Sequence, residues 1–350
     1  MPNPITEKSK ELAKARKADS HCVLKMEMAA QGQSPRFLII SPINRSSQDL
    51  QLLGLEQGDA FHGTRIPGIA LPNPDSSPML FAGPVAFNSF FSDERGVILT
   101  FETSEPEEII HTTISHLKKH PDLEDLQPIV LQVNYAEGRA RIFPHSAGRN
   151  YEAENWLLSR LVKPDNVDDD VLVLMCSDSR LQPPATPRGV PYVIQTLGGH
   201  VSEYNPDNPE AVLLDEFFLR WLSHREKFRR IIIIAHGNFE GHGPSCGAGI
   251  ASLNVSSVQG AYLKPIIEKI QIDASAIEDI PAKNAEERVL SIANATQKNL
   301  MTYPAIESLT KRNGIPPEFI SILVMDTVSN VVSELETITS ADRNGLRDVL

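Results

Sequence analysis

Cysteine is scarce in this chain: three residues in 350, Cys22, Cys176 and Cys246. Three thiols cannot build a disulfide framework, which sets the chain apart from small secreted scaffolds and points to a reducing compartment. Cationic side chains are also short in supply, with 33 Lys and Arg against 45 Asp and Glu, for a formal net charge of -12. That deficit argues against nucleic acid as a partner, because such affinity needs clustered cations to displace counterions. Long apolar runs are missing too. The strongest, Ile231 to Ala235, has strand length and falls well short of the roughly 18 residues of a membrane span. With no apolar signal core at the N-terminus, a cytoplasmic protein without a membrane span is expected.

What is present divides unevenly. A length of 350 residues with 41% hydrophobic content favours two domains over one. Residues 1–34 are charged or small and read as a loose N-terminal tail, within which Leu12 to Met28 has helical character. Residues 35–148 read as an N-terminal α/β or α+β domain. Phe37 to Ile40 and Val97 to Phe101 are strand candidates, while residues 62–84, rich in Gly and Pro, read as loop. Ser104 with Glu107 three residues on is a capping-box pattern that opens a helix to about Lys119. Ile129 to Tyr135 and Arg139 to Phe143 form a hairpin pattern across Ala136-Glu137-Gly138. The histidines of this region (His62, His111, His116, His120 and His145) are dispersed and form no catalytic constellation. Its role is open, with the surface for a protein partner as one assignment.

Residues 151–340 have a cleaner rhythm. Tyr151 to Leu161 reads as a helix, Val171 to Met175 as a strand and Pro191 to Gln195 as another. Glu210 to Phe228 carries the apolar stripe Leu214, Phe217, Phe218, Trp221 and Leu222 and leads into the strand Ile231 to Ile234. That strand lacks polar alternation, as expected where helices cover both faces of a parallel sheet. Glu286 to Leu300 and Pro304 to Arg312 are further helices, the second ended by Gly314, and Ile320 to Met325 is a last strand. The alternation predicts an α/β domain with a mainly parallel sheet flanked by helices. No internal sequence repeat is evident.

Two of these strands end in residues able to hold a metal. Val171 to Met175 runs into Cys176-Ser177-Asp178-Ser179-Arg180, and Ile231 to Ala235 runs into His236, with Cys246 beyond a glycine-rich loop. Strand C-termini of a parallel sheet share one edge, where ligands bind, so Cys176 and His236 can meet across 60 positions of sequence. Cys246, at the start of the expected helix Gly247 to Leu253, would complete a set of two thiolates and one imidazole. Three protein ligands with an open fourth position describe a catalytic rather than a structural zinc site. Asp178 and Arg180 have the reach to form a carboxylate–guanidinium pair beside it. Each cysteine or histidine alone reads better as a locally satisfied buried side chain; the conjunction favours a Zn²⁺ centre.

From about residue 151 to 340 the chain resembles the β-class carbonic anhydrases, including their carboxysomal shell relatives. The most specific element is Cys176-x-Asp178-Ser179-Arg180, which in that family supplies one zinc cysteine and an Asp/Arg dyad. The family's Gly-His-x-x-Cys-Gly is matched by Ala235-His236, a longer loop and Cys246-Gly247, a widening similar to the carboxysomal relatives. His242, in a second Gly-His before Cys246, is the rival ligand; the strand-end position favours His236. Glu287-Arg288-Val289 with Asn294 and Asn299-Leu300, then Asp326 and Asn330-Val331, resemble later family elements. Two features depart from the pattern. Gln195-Thr196-Leu197-Gly198-Gly199 stands where the family has Arg-Asn-Ala-Gly-Asn, and the upstream glutamine that donates to bicarbonate in plant-type members has no clear counterpart.

The resemblance implies zinc-dependent hydration of carbon dioxide to bicarbonate and a homodimer or higher homo-oligomer with its pocket near the dimer interface. It also implies a cytoplasmic location or a carboxysome-like compartment. Asp178 and Arg180 would be the catalytic pair, with a resting form in which Asp178 takes the fourth zinc position. Two other readings stay open: a catalytically weak zinc-bearing scaffold, and a hydrolase of carbon disulfide or carbonyl sulfide.

Overall fold

The computed structural model describes residues 3–91, 96–125, 127–146, 148–223, 229–240, 243–278, 281–313 and 319–335. Two sheets organise the chain. The first joins β1 (Phe37–Pro42), β2 (Ala60–Arg65), β3 (Gly96–Glu102), β4 (Pro128–Asn134) and β5 (Arg139–Ile142) in the order β2-β1-β3-β4-β5. The second joins β6 (Val167–Cys176), β7 (Val190–Thr196), β8 (Arg230–Gly237), β9 (Ile320–Asp326) and β10 (Val332–Glu334) in the order β10-β9-β8-β6-β7. Each is an α/β layer of four parallel strands closed by one antiparallel strand, with helices in the connections. Ile231 to Ala235 and Leu172 to Met175 are buried throughout, which is why their sequences show no polar alternation.

The two sheets have the same topology. In each, the first strand lies between the second and the third, the fourth follows, and the fifth turns back antiparallel. The register agrees as well. Aligning the pairs Leu38–Val97 and Leu172–Ile231 places Pro42 at the position of Cys176, Asn44 at that of Asp178 and Glu102 at that of His236. An independent contact fixes this alignment. The His62 amide donates to the Ser177 carbonyl at 2.9 Å, and its counterpart, the Val193 amide, donates to the Ile43 carbonyl at 2.9 Å. The halves therefore meet edge to edge through β2 and β7 about a local twofold. The fold is duplicated although the sequence shows no repeat.

Several expectations need correction. Residues 62–84 are not mostly loop: they include the end of β2 and the start of the helix Pro78–Phe90, with Pro84 inside it. The capping box at Ser104 does not form. The helix Glu107–Lys119 begins after Pro106 without a side-chain cap, and Ser104 Oγ instead donates to Glu102 at 3.4 Å. Residues 4–31 form the helices Pro4–Ala18 and Ser20–Gln31 where composition suggested a loose tail. Ser9 Oγ accepts from the Val332 amide at 3.0 Å, which ties the first helix to β10. The end of the Glu210 helix beyond Ser223, the Gly314 expected to stop the Pro304 helix, and His242 lie outside the described residues.

Candidate metal centre

Cys176 is the last residue of β6 and His236 sits near the end of the neighbouring β8. Cys246 immediately precedes the helix Gly247–Leu253. One ligand atom from each of the three lies within 4.8 Å of the others, and all three side chains are buried. The two sulfurs are 4.0 Å apart, close to the ~3.8 Å that two thiolates span on a tetrahedral zinc.

The histidine is oriented to serve as a ligand. Its Nδ1 lies 3.1 Å from Thr327 Oγ1, and the same hydroxyl lies 3.1 Å from the Gly237 carbonyl. A carbonyl only accepts, so the single hydroxyl hydrogen goes to Gly237 and the ring must donate from Nδ1. Nε2 is left with its lone pair, buried and without a hydrogen-bond partner. An orphaned buried nitrogen beside two thiols is costly unless a cation completes it.

The thiols are tuned in opposite directions. Cys176 is raised well above the ordinary thiol value by its contact with the Cys246 sulfur and by burial. Cys246 is lowered, first through the Cys176 contact and against burial, with help from the Gly249 and Ala248 amides. The Gly198 amide also points at Cys176 Sγ from 3.3 Å. Gly198 and Gly199 both have left-handed backbone, at φ 66° and 69°, so the turn that aims this amide suits glycine.

Asp178 and Arg180 form a buried fork. Arg180 Nε donates to Asp178 Oδ1 at 2.9 Å, Nη2 to Oδ2 at 2.5 Å, and the Arg180 amide to Oδ1 at 2.9 Å. Burial works to raise the carboxyl, but the Arg180 hydrogen bonds and charge prevail and leave Asp178 below its ordinary range. Arg180 also reaches the Pro244 and Ser245 carbonyls, at 3.4 and 3.2 Å, on the approach to Cys246. Asn330 holds it from behind, donating to the Arg180 carbonyl at 3.0 Å and accepting from Gln182 at 2.7 Å.

All five residues expected from the sequence are therefore gathered in one place. Sequence reasoning missed Thr327, the role of Asn330 and the part of Glu286, which accepts from Ser245 Oγ and from the Asn238 amide. Asn330, a non-glycine residue at φ 54° in a turn after a strand, was marked in the sequence only by its place in the Asn330-Val331 resemblance. His62 is also nearer the site than its scatter among histidines suggested. It is buried with both ring nitrogens unpartnered, and burial lowers it to about 4 against the charge of Asp178.

No family model matches the chain. No curated protein matches it either. Among solved structures, the β-carbonic anhydrase CcaA aligns at 22% identity over 47% of this chain and 71% of its own, with a TM-score of 0.35. A tetrameric β-carbonic anhydrase of the filamentous ascomycete Sordaria macrospora aligns at 20% over 47% and 80%, with a TM-score of 0.33. A carbon disulfide hydrolase in its apo form aligns at 15% over 51% and 84%, with a TM-score of 0.24. Overlap this low assigns no role to the chain. Among the described residues, no helix is long and apolar enough to cross a membrane.

Proposed function

We infer that Cys176, His236 and Cys246 hold a catalytic Zn²⁺ and that the site hydrates carbon dioxide reversibly to bicarbonate. The observation that carries this reading is the convergence of the three buried donors beside an Asp–Arg fork. Two sulfurs and one imidazole suit zinc among common divalent ions, and the cluster contains no fourth protein donor among the described residues. Zinc held there would supply a Lewis acid and a water that is nucleophilic near neutral pH.

The remaining work falls to the chain. Thr327 fixes the His236 tautomer, which keeps Nε2 available. Arg180 holds Asp178 ionised and immobile, so the carboxylate accepts the hydrogen of the attacking water and turns a lone pair toward carbon. With both its oxygens engaged by Arg180, Asp178 is occupied as an acceptor and not as a fourth ligand.

Stopped-flow proton release tests the reading on protein carrying one zinc per chain. Asp178→Ala and Arg180→Ala should keep their zinc and lose at least about 100-fold in rate, the ordinary scale for a lost proton-handling group. Sulfide release from carbon disulfide and carbonyl sulfide, measured alongside, separates the hydrolase alternative. Zinc-loaded wild type that stays at background with all three substrates from pH 7 to 9 would falsify the enzyme reading and leave a scaffold.

A further inference from the structure

The helix Pro4–Ala18 lends Lys8, Leu12 and Arg16 to one wall of a cleft of about 620 Å³. Residues four apart share a helix face, so this spacing sets two cations along one wall with a leucine between them. The opposite walls are the helix Ser46–Leu52 and the segment 182–190 that joins β6 to β7. The volume lies in the range that takes a small organic molecule. None of Cys176, His236 and Cys246 lines this cleft.

Most of the charge on these walls is already matched. Lys8 Nζ lies 2.9 Å from Glu11, and Arg188 is held by Asp168 and Asp170 at 2.6 Å each. Asp165, the one carboxylate lining the cleft, accepts from Gln51 Nε2 at 3.0 Å. Arg16 is the exception. Its guanidinium is half-buried, yet it makes no ion pair and no side-chain hydrogen bond among the described residues. Burial is the main influence on it and pulls it below its ordinary value, with Cys22 acting the other way. Gln182 carries a second unmatched group. Its main-chain amide donates to Asn330 at 2.7 Å, while its carboxamide Nε2 is buried without a partner.

Donors taken from water and left unmatched are costly, and oxygens of a carboxylate are well suited to a guanidinium. The same walls carry Leu12, Leu50, Leu55 and Val190, apolar surface that a bare inorganic anion would leave uncovered. We propose that this cleft binds a small organic carboxylate, with Arg16 pairing with the carboxylate, Gln182 Nε2 donating to an oxygen of the ligand, and the leucines seating an apolar body. The site needs no metal and is independent of the metal-centre reading.

The test uses the full-length protein as purified and 2-naphthoate, an apolar bicyclic carboxylate whose fluorescence responds to burial. Wild type should bind it at one site per chain, read by fluorescence titration and calorimetry. Arg16→Gln should weaken binding by about 10–100-fold, the scale of a lost hydrogen bond to a charged group. Gln182→Leu should weaken it by about 3–10-fold, the scale of a neutral one. 2-Naphthamide, the same body without the charge, should bind wild type at least about 10-fold more weakly and be indifferent to Arg16→Gln. Naphthoate that does not bind at millimolar concentration, or that binds wild type and Arg16→Gln equally, overturns the site. Equal affinity for naphthoate and naphthamide overturns the anionic class of ligand. Inorganic phosphate that displaces naphthoate at equal concentration shows that an oxyanion alone suffices and overturns the apolar seat. Should Arg16→Gln fail to fold, Leu12→Trp, which adds bulk to the same wall and keeps Arg16, takes its place: unchanged naphthoate affinity there overturns the site as well.

Discussion

The main-chain amide of His62 donates to the carbonyl of Ser177 at 2.9 Å, and through that contact one half of the chain holds the loop that carries the other half's Asp178. Its mirror image, Val193 to Ile43, lacks any such cargo, because the residue after Ile43 is Asn44 and the residue before it is Pro42. The two halves share a topology and a register, and only one has kept donors at its strand ends.

This asymmetry sets the metal content. One divalent ion per chain is expected, not two, and elemental analysis of dialysed protein measures it. Cys176→Ser should lose stoichiometric binding, since a neutral hydroxyl is a poor replacement for a thiolate beside Cys246. Two ions per chain, or full occupancy in Cys176→Ser, would place the site elsewhere.

Much of the centre was legible in the sequence because two unbroken apolar strands ended in Cys176 and His236, and both features survive translation into structure. The helix Gly247–Leu253 was legible for a similar reason, as a short stretch of small residues and leucine after a glycine-rich loop. β2 was not legible. Its His62, Thr64 and Arg65 are polar yet buried, and they are satisfied or covered by the other half and by Glu105, which no local pattern reveals. The capping box at Ser104 misled because the helix starts at Glu107, with Pro106 and not Ser104 at its N-cap, and the Ser104 hydroxyl turns back to Glu102. The duplication was hidden because register is set by backbone pairing, and Leu-Ile-Ile-Ser-Pro and Leu-Val-Leu-Met-Cys keep the apolar run while losing the chemistry.

The buried Arg65–Glu105 fork should be a stability element of the first half. Arg65 also donates to the Thr100 carbonyl at 3.0 Å and lies 4.2 Å over the Phe101 ring. Glu105→Ala strands a guanidinium at a site with almost no solvent, and such losses run to about 3–5 kcal/mol. Urea unfolding of Glu105→Ala and of the double variant Arg65→Leu/Glu105→Leu gives the comparison. The double variant should lose less, because no charge is left unpaired. Equal losses would mean that the pair acts only through packing.

Glu210 gives stability a pH dependence whose sign can be worked out. It lies in the first turn of the helix Pro209–Leu222, at 3% exposure. Its carboxylate accepts from the Leu80 amide at 2.6 Å and the Met79 amide at 3.1 Å, clasping the start of the helix Pro78–Phe90 in the other half. Burial raises it from 4.5 to about 7, with the two amides pulling the other way. Tyr262 and Tyr303, whose charges would face it, are phenols pushed up chiefly by burial and stay neutral in this range. Between pH 4.5 and 7 the folded chain therefore holds a proton that the unfolded chain has released. The stability from this group is fully present below 4.5, falls as pH rises through about 7, and is flat above. At about 1.4 kcal/mol per pH unit the loss between pH 5 and pH 8 is up to about 3 kcal/mol. Asp49, raised by burial to about 6, slopes in the same direction, so the difference between wild type and Glu210→Gln is the quantity to measure. Glu210→Gln stays neutral at every pH and keeps one carbonyl oxygen for the amides. Urea midpoints from pH 5 to 8 should decline less in the variant, and its stability relative to wild type should improve with each step. Parallel curves would show that Glu210 is already ionised at pH 5, with the two amides outweighing burial.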